Sequence, residues 1–235
     1  LSLPDSSGFD TFARVYAQAP EVPIIVLSGL DDKDLAVKAV RTGAQDYLVK
    51  GEVNSDLLLR AIHYAIERKR AELKQAYYLQ TEHMLRQVSN RFVDVDNMNQ
   101  AIKGTLRDLG SMLNANRAHF FKIHDDGAKM YTTQEWVSPG AEPQIDNQQA
   151  LDTGDFPWWM DKLAANDIII APDVKQLPTP EKETLEERGV LSTIAVPIFT
   201  HGALYGFLSF EQTERKRDWA REEVGFLRNV SQTVG

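Results

Sequence analysis

The sequence predicts two unlike folding units, an α/β parallel-sheet fragment and then an α+β domain, joined by one long helix. Three observations predict this. From Leu1 to Lys74, helical periodicity alternates with short strand-like runs, Ile24-Ile25-Val26-Leu27 and Asp46-Tyr47-Leu48-Val49-Lys50. That order implies right-handed crossovers and a parallel sheet. From Asp56 to Asn90 the chain is highly charged and free of Gly and Pro. It reads as one helix, or two nearly continuous ones, of ~35 residues and about 50 Å. Beyond it, five strand-like segments, mostly in hairpin pairs, have helical segments before, between and after them.

Composition bounds the function. The chain has 235 residues, room for one or two domains. The net charge of −8 argues against nucleic acid as a partner. Runs such as IIVL and IIIA are strand-sized, so no membrane span is expected, and the start lacks a signal-peptide pattern. Cys is absent, which removes disulfides, thiolate zinc sites, a Cys nucleophile and thioether-attached cofactors. It also fits a reducing, cytoplasmic setting.

In the first unit, Pro4-Asp5-Ser6-Ser7-Gly8 is a turn cluster. Phe9, Phe12, Ala13 and Tyr16 then share one face of a helix over 9–18. Ile24 to Leu27 is an apolar run suited to a parallel strand buried on both faces. Asp31 or Asp32 caps a helix reaching Arg41, with Gly43 at its C-terminal end. Asp46 to Lys50 is a second strand, and Ser55 or Asp56 caps the long helix. Ligands of open parallel sheets sit at the carboxyl ends of the strands. Those ends offer Ser28 and Lys50, a hydroxyl and an ammonium that suit a phosphoryl group, or else a turn residue and a solvated strand end.

LPDSSGFD, PIIVLSG and AVRTGAQDYLVK, in that order, resemble the C-terminal half of a response-regulator receiver domain, which has a flavodoxin-like fold. The resemblance covers 1–70. It implies that Ser28 senses the phosphoryl group, Tyr47 is an aromatic switch and Lys50 contacts the phosphoryl group. Gly51 stands where the family often has Pro. The resemblance also places the acceptor Asp before Leu1, with the acidic ligands of magnesium further upstream. Magnesium would therefore belong to the complete receiver, and this chain itself holds no cofactor. A cognate sensor histidine kinase is the implied partner. The open edge of so short a sheet calls for a second chain against it.

In the long helix, whose residues 71–90 form a linker, Ile62, Ile66, Leu73 and Ala76 make one stripe, with Lys69 interrupting it. Tyr77, Met84, Val88 and Val95 make another, joined by a four-residue step. Either Ile62 and Ile66 pack on the first unit and Met84 and Val88 on the second, or the stripes form a parallel dimer helix. His63 and His83 lack the following acidic residue expected of a phosphoryl-accepting histidine, and no ATP-binding signature accompanies them.

The second unit, 91–235, opens with a helix capped by Asp96 or Asn97, its face made by Met98, Ile102, Leu106, Leu109 and Leu113. Strands over 118–123 and 130–137 flank the turn His124-Asp125-Asp126-Gly127. Residues 138–153 read as a loop. Pro157 sits in the first turn of a short helix carrying Trp158 and Trp159. A strand over 167–171 and a helix from Thr179-Pro180 to Gly189 follow. A hairpin over 191–199 and 204–211 turns at His201-Gly202, with Pro197 at an edge or bulge. Asp218 caps a last helix with Val224, Leu227, Val230 and Val234 inward. His119, His124 and His201 show no metal-ligand spacing.

NANRAHFFKI, DFPWWMDKL, IIIAPDV, GVLSTIAVPIF and GALYGFLSF resemble a GAF domain. The resemblance implies a sensory or dimerising module with a pocket between the sheet and the Trp-bearing helix. Phe121, Trp136, Trp158 and Trp159 are candidate pocket residues for a planar ligand of unknown identity, or ordinary core and rim aromatics. Without Cys, covalent bilin attachment is excluded. The chain thus reads as a two-component response regulator that is not an enzyme. Receiver state would pass through the linker helix to a GAF domain, in a homodimer built on that helix and the GAF helices. A small-molecule-binding GAF sensor is the alternative.

Overall fold

The computed structural model describes residues 2–3, 6–29, 33–93, 97–124 and 127–235. Pro4-Asp5, Asp31, Asp32, Val95, Asp96 and Asp125-Asp126, named above for turns, caps and the helix stripe, lie outside the described residues. The chain divides into two compact units, 1–80 and 81–235.

In the first unit, β1 (Ser2–Leu3) and β2 (Ser6–Ser7) form a small antiparallel pair. Helix α1 (Phe9–Gln18) buries Phe12, which joins Val26, Ala39 and Ala44 in a small core. Strand β3 (Ile25–Ser28) pairs in parallel with β4 (Asp46–Val49), with α2 (Lys33–Thr42) between them in sequence. Gly43 closes α2 at φ 133°, where its N–H bonds the Ala39 carbonyl. Burial of β3 on both faces is not found. Val26 and Ser28 are buried, whereas Leu27 points to the opposite side and is 42% exposed.

The long helix is continuous: α3 runs Ser55–Arg91. Its cap is Asn54, whose Oδ1 accepts the Leu57 N–H at 2.8 Å, in place of the expected Ser55 or Asp56. Within the first unit its inward face is Ala61, Ala65 and Lys69, one residue away from the expected Ile62 and Ile66. Lys69 buries its stem, with Nζ 5.6 Å from the Tyr16 ring centroid and 3.8 Å from Glu72. Leu59, Ile62 and Leu73 are exposed. Within the second unit Val88 is fully buried and Met84 packs beside it, as expected.

The second unit is a six-stranded antiparallel sheet with order β7-β6-β5-β10-β9-β8. Its strands are β5 (Arg117–His124), β6 (Lys129–Val137), β7 (Leu151–Asp152), β8 (Ile169–Ala171), β9 (Ser192–Thr200) and β10 (Ala203–Gln212). Strand β7 lies inside the segment read as loop; two residues are too few for a period to register. Pro197 lies beyond the last β8 partner of β9, Ala195, so its missing N–H breaks no β8–β9 bond. His201 and Gly202 both take positive φ, 52° and 82°, as a two-residue turn with type I′ twist requires.

Helices α4 (Met98–Met112) and α7 (Arg221–Val234) cover one face of this sheet. Leu106, Leu109, Phe226, Leu227 and Val230 meet Phe120, Val196, Leu208 and Phe210 there. Helix α7 is not capped by Asp218. Its first free amide, Ala220 N–H, is taken by the Glu223 carboxylate at 2.9 Å. The other face carries α5 (Pro157–Ala164) and α6 (Glu181–Glu187), over Phe121, Met130, Ala195 and Phe207.

Candidate functional site

On that second face, a small cavity of about 30 Å³ lies between the sheet and helices α5 and α6. Phe121, Phe207, Met130, Leu151, Phe156 and Trp159 form its apolar wall, and Glu181, Arg188, Ser209 and Glu211 line it too. The alternation of strands explains the division. On β5 and β10, Phe121, Phe207, Ser209 and Glu211 have one parity, and Phe120, Leu208 and Phe210 the other. Phe121 and Phe207 stack at 4.5 Å between centroids, 9° apart.

Of the four candidate pocket residues, Phe121 and Trp159 line this cavity, and Trp158 packs beside them half-buried. Trp136 does not join them: it packs on the α4 side, where a Cβ on Gly110 would lie 2.3 Å from its ring. The reason is a β-bulge. Phe120 pairs with Gln134 and Phe121 with Thr132, so Thr133 is an extra residue that reverses the parity of β6. Met130 therefore faces the cavity while Trp136, six residues on, faces away.

Next to the cavity sits a buried ionic cluster that sequence reasoning missed. Glu211, 1% exposed, accepts from Arg117 Nε at 2.9 Å and Arg188 Nη2 at 2.6 Å. Arg117 also donates to the Arg188 carbonyl at 2.8 Å. His119, fully buried, places Nε2 3.0 Å from Glu135 Oε1 and Nδ1 3.8 Å from Glu211. Glu135 further accepts the backbone N–H groups of Gln144 and Ile145 at 2.7 and 3.1 Å, which fastens the 138–150 segment. Gln148 turns its nitrogen to Thr132 Oγ1 and its oxygen to Arg188, the orientation that those neighbours satisfy.

Burial pushes the Glu211 carboxyl up, but the Arg188, His119 and Arg117 charges outweigh it and hold the group below its ordinary value. Burial likewise raises Glu135, and the His119 bond with the two backbone amides more than reverses it. Both are therefore carboxylates at neutral pH. As an acceptor only, Glu135 requires the proton on His119 Nε2. Glu181 differs from both. It is 1% exposed, Oε1 accepts the Trp159 N–H at 3.0 Å, and Oε2 has no partner.

In the first unit, parallel pairing sets Ser28 opposite Val49, and Lys50 N–H donates to the Ser28 carbonyl at 2.7 Å. The two residues expected at the strand ends are thus adjacent. Ser28 is buried with an unpartnered hydroxyl, the Lys50 side chain is exposed, and Tyr47 packs half-buried on the Phe12–Val26 core. Among the described residues no group of His, Asp and Glu could hold a metal ion. No helix among them is long and apolar enough to cross a membrane.

The GAF domain model matches residues 97–235 and the response regulator receiver domain model matches residues 1–63. Methanogenesis regulatory histidine kinase FilI of Methanothrix harundinacea is 31% identical over 151 residues, 60% of this chain and 16% of that protein. Regulatory protein LuxO of Vibrio cholerae is 36% identical over 104 residues, 44% of this chain and 18% of that protein. The chain thus spans under a fifth of these relatives' lengths. Among solved structures, the phycocyanobilin-bound GAF domain from a cyanobacterial phytochrome shares the fold at TM-score 0.58 and 19% identity, covering 66% of this chain and 91% of that one. The chain belongs to the GAF domain family, with a response regulator receiver segment ahead of the GAF domain.

Proposed function

We propose that the protein is a non-enzymatic response regulator of a two-component system, acting in the cytoplasm with a cognate sensor histidine kinase. In this reading Ser28 and Lys50 report the phosphoryl group of the complete receiver, Tyr47 acts as the switch, and α3 carries the state to the GAF domain. The observation that carries it is the unbroken α3, which buries Ala61 and Ala65 in the first unit and Val88 in the second. A helix with buried residues in both units can pass a rotation or register shift between them. The exposed Leu59, Ile62 and Leu73 stripe supports a homodimer along this helix. The experiment is double electron–electron resonance between spin labels at position 80 of the full-length protein, with and without a phosphoryl mimic. A shift in the distance distribution is expected, and identical distributions sink the relay.

A second reading, a GAF sensor whose ligand is the input, is favoured by the cavity between α5, α6 and the sheet. Native mass spectrometry of the purified protein is expected to show a stoichiometric bound molecule if it holds. The cyanobacterial phytochrome GAF domain holds a bound phycocyanobilin. This chain has no Cys to carry a thioether-linked bilin.

A further inference from the structure

We propose that the cavity between the sheet, α5 and α6 binds a small organic cation, a primary ammonium or amidinium on a compact apolar body, with Glu181 as its counter-charge. The proposal deepens the sensor reading and rests on it.

Charge and hydrogen bonding lead to it. Glu181 is buried at the start of α6, and one of its oxygens is fixed by the Trp159 amide. The other, Oε2, has no partner although it is out of contact with solvent. A buried carboxylate is stable only when paired or fully hydrogen-bonded. The two guanidiniums nearby do not serve it: Arg117 and Arg188 are both committed to Glu211. Glu135 has His119 and two backbone amides of its own. Of the three carboxylates on this face, Glu211 is thus paired with two guanidiniums and Glu135 with His119, and no described ion pair includes Glu181.

The remaining walls choose among possible donors. Phe121, Phe207 and Trp159 are buried aromatics, whose faces attract cations. Met130 and Leu151 add apolar surface that favours a ligand with a hydrocarbon part over a bare ion. The volume of about 30 Å³ limits the body to a few heavy atoms, since a single water takes roughly 10–15 Å³ on this measure. An anion would meet an unpaired carboxylate, and a neutral alcohol would leave the charge uncompensated.

The test uses the whole chain, ¹⁵N-labelled, titrated with methylammonium, ethylammonium and acetamidinium, and with acetate, ethanol and acetamide as size-matched controls. The Trp159 backbone amide, bonded to Glu181, is the reporter. A saturable shift of this amide by at least one cationic probe, at least tenfold tighter than any control, is expected. Glu181→Gln keeps an acceptor for the Trp159 amide and should weaken the cation at least tenfold. If the controls bind as well as the cations, or Glu181→Gln binds unchanged, the charge assignment fails while a ligand pocket stands. If no probe saturates, the proposal fails; a ligand found by native mass spectrometry would then keep the sensor reading alone. Should Glu181→Gln not fold, the ranking of cations over controls in the unaltered protein still decides.

Discussion

Arg117 shows how much a single residue can hide. It stands directly opposite Glu211 across β5 and β10, and both are almost wholly buried. Removing one member of a buried pair leaves the other charge uncompensated. Arg117→Ala should therefore destabilise the GAF domain by about 3–5 kcal/mol, read by urea denaturation. The pair was not legible in the sequence because its members are 94 residues apart and each sits in an otherwise ordinary strand. His119 was legible as a strand residue, but its partners Glu135 and Glu211 come from two neighbouring strands. Ser28 and Lys50 were legible because parallel strands end on the same side, so chain order alone places them together. Glycine at 206 is a further residue-scale constraint. A Cβ there would lie 2.1 Å from the Phe121 carbonyl oxygen. Gly206→Ala should cost at least ~1–3 kcal/mol by overpacking, measured the same way.

At the scale of elements, long periodic segments were read well and their ends were not. Helix α1 and the continuous α3 follow from apolar spacing and from the absence of Gly and Pro. Caps depend on which side chain reaches a free amide, and spacing does not show that. Asn54, not Ser55 or Asp56, caps α3, and Glu223 rather than Asp218 closes the start of α7. Asn54→Ala should lower stability by about 1 kcal/mol, seen as a fall in the thermal midpoint, while Asp56→Ala leaves the Asn54 cap in place. The inward face of α3 departs from the apolar stripe for another reason. Small Ala61 and Ala65 allow close approach, so the larger Ile62 is left 38% exposed.

Across the whole molecule, the order of units was legible because each carries its own alternation of elements. The acid response of the second unit should follow its two buried carboxylates. Glu211 and Glu135 have folded-state values below the unfolded carboxylate value of roughly 4.3. Their contribution is therefore fully present above that value and is lost as pH falls through the lower folded values. Near-ultraviolet circular dichroism should show the loss of tryptophan signal as acid is added, since all four Trp lie in the second unit. Glu211→Gln should make that loss less steep with pH, at a lower overall stability.

The extra residue at Thr133 bears on how this sheet can change over generations. Substitutions in β6 act one side chain at a time, but removing one residue there would restore simple alternation between β5 and β6. Every residue on either side would keep its β5 partner, with Glu135 opposite His119 and Trp136 opposite Ala118, so the Glu135 carboxylate and the Trp136 indole would hold their present faces. Strand β6 is thus open to new letters, and at this one position to a shorter length as well. Other insertions and deletions should accumulate between Ser138 and Gln144, before the amides that Glu135 holds.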